Sequence, residues 1–350
     1  MMNKVACQVV MMATAIAALT ACSKGAGSFS ILKDGDDFKQ EAVFVPKKVD
    51  ILWVIDNSGS MKTSQDNLAA SFSSFINRFQ TQGFDFRMAV TTTEAWARQF
   101  DANSNLSMIK DGAVLQKNPK IETHSGYFVM DQNTPNLTDV FSINAKQGTI
   151  GNGDERPLES MKQTLLDSRN AAFRRPEAFL AVIMVSDEED SSGPSSAFES
   201  GGNRYPVQNY VDFLNSLSGS GNFNVSVITV DSNACRTQLN TDGFNRTVST
   251  RLPALADLTK GVKASLCGNF GTSLDVISNN IITLSSVFKL SREPDLSTLK
   301  VYVDGVQIAE DPVNGYTYDP AEMTITFHGT SAPGANSSVK IDYYPVSLEN

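Results

Sequence analysis

Between Ile55 and Met61 the sequence reads Asp56-Asn57-Ser58-Gly59-Ser60: one carboxylate and two hydroxyls on alternate residues, with a glycine that permits a sharp turn. Oxygen donors alone, at this density, suit a hard cation such as Mg²⁺. What precedes them decides how they are held. Val49-Asp50-Ile51-Leu52-Trp53-Val54-Ile55 is a short, nearly continuous apolar run, the pattern of a strand buried on both faces of a parallel sheet. A loop at the carboxyl end of such a strand points its oxygens into the crevice where open α/β sheets bind ligands. An ordinary loop with an Asp or Ser helix cap would explain one or two of these polar residues. It would not explain a second buried run, Phe179-Leu180-Ala181-Val182-Ile183-Met184-Val185-Ser186, that also ends on an acid, Asp187.

Asp-x-Ser-x-Ser after a buried strand resembles the metal-ion-dependent adhesion site of von Willebrand factor A (VWA) domains, and the resemblance covers roughly residues 47–290. It implies a doubly wound, mostly parallel sheet with helices on both faces. It implies that Ser58 and Ser60 ligate a divalent cation, Mg²⁺ foremost with Mn²⁺ or Ca²⁺ as alternatives. Asp56 and Asp187 would supply charge directly or through water. One coordination position would stay open for an Asp or Glu of a partner protein. The family's third loop normally supplies a Thr just before a helix. Here Gly151-Asn152-Gly153-Asp154-Glu155-Arg156-Pro157-Leu158 stands in that place and offers Asp154, a departure from the pattern. Asp154 either contacts the metal or caps the helix, with Pro157 in the first turn. Thr149 is a substitute donor further from the helix. An acid in place of a neutral Thr would strengthen cation binding but weaken the pull on a partner carboxylate, or let Ca²⁺ compete better with Mg²⁺. Glu188-Glu189-Asp190 either adds charge around the cation or is a solvated turn.

These loops need a scaffold of alternating strands and helices, and residues 47–290 supply one. Leu68, Ala69, Phe72, Phe75, Ile76 and Phe79 recur at helical spacing, predicting a helix over 63–79. Phe84 to Thr92 and Phe223 to Val230 read as strands. Leu158, Met161, Leu165 and Leu166 mark a helix, Val207 to Leu217 another, and Ile277 to Phe288 a closing one. Such alternation makes a parallel sheet the default. Residues 94–135, with Trp96, His124, Tyr127 and Phe128, and residues 232–262 break the rhythm and read as insertions that carry specificity or merely fill space. From 291 the pattern changes to short strands with no helix between them. A type I′ signal, Asp304-Gly305, joins two of them. Residues 291–350 thus read as a small antiparallel β domain, sandwich-like.

The amino terminus reads as an export signal, residues 1–21. Lys4 is the only charge before an apolar stretch from Val5 to Leu19. Leu19-Thr20-Ala21-Cys22 resembles the lipobox of bacterial lipoproteins, which implies lipid on Cys22 and attachment to the cell envelope, with the outer membrane favoured and the face left open. A plain secretory cut at Ala21 is the alternative; a spanning anchor would need ~18–20 apolar residues. Residues 22–46 read as a tether. The net charge of −9 argues against nucleic acid and against adhesion to anionic lipid. Of the four cysteines, Cys235 and Cys267 remain after Cys7 and Cys22 are set aside. In an exported protein such a pair favours one disulfide, with two buried thiols as the alternative. Neither histidine, His124 or His328, stands in a catalytic motif, and no nucleophile or phosphate-loop motif is present, so the chain is expected to bind rather than to catalyse. The expected function is that of a metal-dependent protein-binding adhesin. The alternative is a structural subunit of an envelope assembly with a stabilising or vestigial metal site.

Overall fold

The computed structural model describes residues 39–40, 48–96, 125–149, 151, 153–176, 178–194, 203–333 and 337–346. The signal, Cys22, most of the tether and His124 lie outside the described residues. No helix among the described residues is long and apolar enough to cross a membrane.

The apolar runs form the strands of a six-stranded sheet. Strands β2 (Val49–Ile55), β5 (Phe179–Ser186) and β6 (Phe223–Thr229) are buried along their whole length. Together with β3 (Phe86–Thr92) and the short edge strand β7 (Lys263–Ser265) they run parallel. β4 (Met130–Asp131) adds an antiparallel edge to β3, giving the order β4-β3-β2-β5-β6-β7. The chain leaves β2 for β3 on one side and later enters β5 on the other. The carboxyl ends of β2 and β5 therefore flank a topological switch point, where open α/β sheets bind ligands.

Period-two alternation along β2 sends side chains to two cores. Ile51, Trp53 and Ile55 pack with Phe72, Phe75 and Phe79 of α1 (Lys62–Thr81), Phe141 of α2 (Leu137–Ala145), and Ile277 and Ile281 of α7 (Phe270–Ser285). Leu52 and Val54 pack with Leu158 and Met161 of α3 (Pro157–Leu166), Tyr210 and Leu214 of α4 (Gln208–Ser218), and Leu252 and Leu255 of α6 (Arg251–Leu258). Each such side chain, fully buried, contributes about 1.5–3 kcal/mol. The result is a doubly wound, mostly parallel sheet with helices on both faces.

The region 232–262 is only partly an insertion. Its second half is α6, the regular crossover from β6 to β7, with Pro253 tolerated in the first turn. The excursion proper begins after Val230 and closes where Ser249 N–H donates to the Val230 carbonyl at 3.0 Å. It carries α5 (Asn233–Leu239), and the Cys235–Cys267 disulfide, Cα–Cα 5.6 Å, ties it to the segment before α7.

Beyond α7 the short strands form two antiparallel sheets. One has the order β1-β13-β9-β10, from Lys39–Gln40, Val339–Asp342, Lys300–Val303 and Val306–Ile308. The other has the order β11-β12-β8, from Tyr316–Asp319, Thr324–Phe327 and Val287–Lys289. They share a core of Val301, Tyr316, Ile325, Phe327, Val339 and Ile341. Asp304 and Gly305 both have positive φ, as the type I′ hairpin requires. Two strands come from outside 291–350: Lys39–Gln40 from the stretch read as tether, and Val287–Lys289, where Phe288 is a strand residue rather than the end of the closing helix.

Candidate metal centre

Asp56 leaves β2 with its N–H on the Val185 carbonyl at 2.9 Å, so the loops after β2 and β5 start side by side. The carboxylate is fully buried. Oδ1 accepts the Ser58 N–H at 2.8 Å and Oδ2 accepts the Ser186 hydroxyl at 2.7 Å. The chain then makes a single 3-10 turn, Gly59–Met61, and runs into α1. Ser58 does not cap that turn with its side chain. Instead its Oγ lies 3.2 Å from Ser60 Oγ. Two hydroxyls and a carboxylate thus stand on one short loop. Gln65, in the first turns of α1, fixes the loop by donating to the carbonyls of Asp56 at 2.8 Å and Gly148 at 2.9 Å.

The third loop packs against the first. Gly151 N–H donates to the Asn57 carbonyl at 2.8 Å, and a Cβ on Gly151 would lie 2.6 Å from that same oxygen, so only glycine fits. Asp154 and Glu155 then take different directions. Both oxygens of Asp154 accept from Arg156, Nε at 2.9 Å and Nη2 at 2.6 Å, and that guanidinium stacks over Trp96. The pair is buried and charge-neutral. Nor does Asp154 cap α3: Asp190 and Ser192 accept the N–H groups of Leu158 and Glu159. Glu155 is the third-loop acid that neighbours Asp56. It is buried, and no donor meets either carboxylate oxygen in good hydrogen-bonding geometry, although the Thr93 hydroxyl, itself unpaired, is near enough to ease its charge. Burial drives it well above the usual carboxylate range, and the Asp56 charge adds to the effect. The sequence reading passed over Glu155. Its signal was present, since it too stands just before the helix where the family has Thr. Thr149, the other candidate, lies beside Gly59: a Cβ there would be 3.8 Å from the Thr149 carbonyl.

After β5, Asp187 is buried; its Oδ2 accepts from Arg246 Nε and its Oδ1 has no partner. The three acids that follow part ways. Glu188 stays by the site. Burial and the charges of Asp56 and Asp187 push it up to about 7. Glu189 takes the N–H groups of Thr250 and Arg251 at the start of α6. Asp190 pairs with Arg251 at 2.9 Å. Asp56 itself is pushed up to about 7, first by burial and then by the Asp187 charge. Asn57 Oδ1 is a further buried oxygen without a partner.

These donors fit a divalent cation. They are hard oxygens, and several are buried and unsatisfied, which is expensive unless a charge arrives to meet them. Among the described residues no three Asp, Glu, His or Cys side chains form a cage by themselves, so a cation here depends on the serine hydroxyls as well. Gly59 is exposed and Ser60 partly so, which places the opening of the site on the serine side. The half-exposed ring of Phe244 stands over it, 3.2 Å from where a Cβ on Gly59 would be. His328 is elsewhere, paired with Thr317 Oγ1 at 2.8 Å in the antiparallel region.

No family model matches the chain, and no curated protein matches it. Solved structures do. Proximal thread matrix protein 1 from the mussel byssus, with a zinc-occupied MIDAS motif, is 12% identical, with 72% of this chain and 51% of that one covered and a TM-score of 0.37. The pilus adhesin SpaC from Lactobacillus rhamnosus GG is 11% identical, covering 87% and 39%, with a TM-score of 0.38. The ArnB paralogue VWA2 from Sulfolobus acidocaldarius is 14% identical, covering 87% and 58%, with a TM-score of 0.33. The chain spans about half the length of these proteins, from 39% to 58%. At such identities and TM-scores the likenesses carry no functional argument, which rests on the site's own residues.

Proposed function

We propose that the chain is a VWA-type binding protein that holds a divalent cation, Mg²⁺ foremost, and engages an Asp or Glu of a partner protein through it. The observation that carries this reading is the buried acid cluster at the switch point. Asp56, Glu155 and Asp187 are buried with Glu188 beside them, and Asp187 Oδ1 and the Glu155 oxygens make no hydrogen bond of good geometry. Ser58, Ser60 and Asp187 would contact the cation directly or through water, with Asp56 supplying charge. Glu155 would take the third-loop role expected of Asp154, whose oxygens serve Arg156. The cation would supply charge compensation and one position for the partner's carboxylate at the opening by Gly59 and Ser60. Lipid on Cys22 would hold the protein at the cell envelope, and residues 291–350 would form the core of a separate module.

One observation favours the second reading, a structural subunit whose metal only stabilises it. The site's four carboxylates, Asp56, Glu155, Asp187 and Glu188, outnumber the charges of Arg246 and one divalent cation, leaving little positive potential for a further carboxylate. Capture of cell-surface proteins by the full-length chain separates the two. Under the adhesive reading, chelation and Asp187→Ala each abolish capture while circular dichroism stays native. Capture that survives both moves the interaction away from the metal and supports the structural reading.

A further inference from the structure

Arg246 belongs to none of the three loops, yet it pairs with Asp187, an acid of the candidate metal site. It arrives on the excursion that the Cys235–Cys267 disulfide ties down. Its side chain is 3% exposed. Every donor is consumed within the protein. Nε goes to Asp187 Oδ2; Nη1 goes to the Leu239 carbonyl at 2.9 Å and Asp242 Oδ1 at 2.8 Å; Nη2 goes to the Ser60 carbonyl at 3.1 Å and Asp242 Oδ2 at 2.7 Å. A guanidinium has five N–H donors, so none is left for a partner. Arg246 therefore does not recognise a ligand. What it does is join the Ser60 loop to the Asp187 loop and occupy one of the two Asp187 oxygens. The other, Oδ1, is buried with no partner.

A carboxylate oxygen that accepts from an arginine keeps a second lone pair, but its charge is partly met, so the unpartnered oxygen is the stronger donor to a cation. Ca²⁺ takes six to eight oxygens and readily accepts both oxygens of a carboxylate, whereas Mg²⁺ is octahedral, small and content with single oxygens and water. Asp56 differs in having both oxygens hydrogen-bonded, one to the Ser58 N–H and one to the Ser186 hydroxyl, so it acts through its charge. We propose that Arg246 is a positioning residue that makes Oδ1 the preferred oxygen of Asp187 for the cation and disfavours bidentate binding, and so turns the site toward Mg²⁺ and Mn²⁺ and away from Ca²⁺. This rests on the metal reading above, but it concerns selectivity, which that reading does not fix.

Calorimetric titration of the full-length chain with Mg²⁺, Mn²⁺ and Ca²⁺ as the probes tests it, using wild type, Arg246→Gln, Arg246→Met and Arg246→Lys. Removing a positive charge strengthens binding of any divalent ion, so absolute affinity is uninformative. The ratio between two ions of equal charge isolates the geometry. Ca²⁺ affinity relative to Mg²⁺ is expected to rise about tenfold in the Gln and Met variants, the size usual for groups that orient a metal ligand. Arg246→Lys, which keeps a charge on Asp187, is expected to stay nearer wild type. The Met variant retains the apolar stem and serves if the Gln variant does not fold. A folded variant without the arginine and with an unchanged ratio overturns the role of Arg246 alone. Wild type that binds none of the three ions overturns the metal reading and this inference with it.

Discussion

Strand β2 buries an aspartate at its start and is followed by another at its end, and the protein treats them in opposite ways. Asp50 is fully buried, and Arg175 meets it with its backbone N–H at 2.5 Å and Nε at 2.9 Å while also pairing with Asp85 at 2.5 Å. Burial still raises Asp50, and Arg175 pulls it back. Asp56 is equally buried, but its partners are one N–H and one hydroxyl, and its charged neighbours are Asp187, Glu155 and Glu188. Residue type and burial are shared; the counter-charge differs. The amino-end cluster is closed within the chain and reads as structure. The carboxyl-end cluster is left open at the edge where α/β sheets bind ligands, and reads as a site.

The sharpest way to break the comparison is to open the closed cluster. Arg175→Ala leaves Asp50 buried without its partner and should cost about 3–5 kcal/mol in urea unfolding. Added Mg²⁺ should not recover any of it. The open cluster should respond to metal instead. Mg²⁺ at a hundredfold over its dissociation constant should stabilise wild type by about 2.7 kcal/mol. A chelator should remove that gain, and Asp187→Asn should never show it. A smaller effect of opposite sign is expected from Glu155→Gln. In metal-free protein it removes a buried carboxyl whose ionisation the site disfavours, so stability should rise by about 1–2 kcal/mol. With Mg²⁺ present that advantage should vanish. The comparison can also be tested through pH. Asp56 and Glu188 titrate in the folded, metal-free protein near 7, above their ordinary 3.8 and 4.5. A raised folded pKa means stability present below the unfolded value and lost as pH rises through the folded one. Metal-free protein should therefore gain stability as the pH falls from 8 toward 5, and saturating Mg²⁺ should flatten that slope. A slope of the opposite sign in thermal melts at several pH values would place the compensating charge inside the chain.

The scaffold was legible because its signals are local. Unbroken apolar runs gave β2 and β5, and helical spacing gave α1 to within two residues at either end. The type I′ turn at Asp304-Gly305 was written in its residue types. What sequence spacing could not assign was the direction of side chains in the third loop. Asp154 and Glu155 are adjacent acids in the same place before a helix. Which of them faces Asp56 is decided by Arg156, two residues on, and by Trp96, from a different loop. Arg246 was illegible for the same reason. It lies 59 residues from Asp187, in a stretch that reads as an insertion of either kind, specific or space-filling, and only the folded excursion brings it there. Crossover helix α6 was obscured by its short length and by Pro253.

In the reading proposed above, the carboxyl-end cluster holds a cation through the serine hydroxyls and the acids of three loops. Calorimetric titration of the full-length chain with Mg²⁺, run on wild type, on Ser58→Ala/Ser60→Ala and on Glu155→Gln, tests it most directly. The expected result is one Mg²⁺ per chain for wild type, no measurable binding by the double serine variant and at least tenfold weaker binding by Glu155→Gln. Equal binding by all three proteins, or none by wild type, would contradict it.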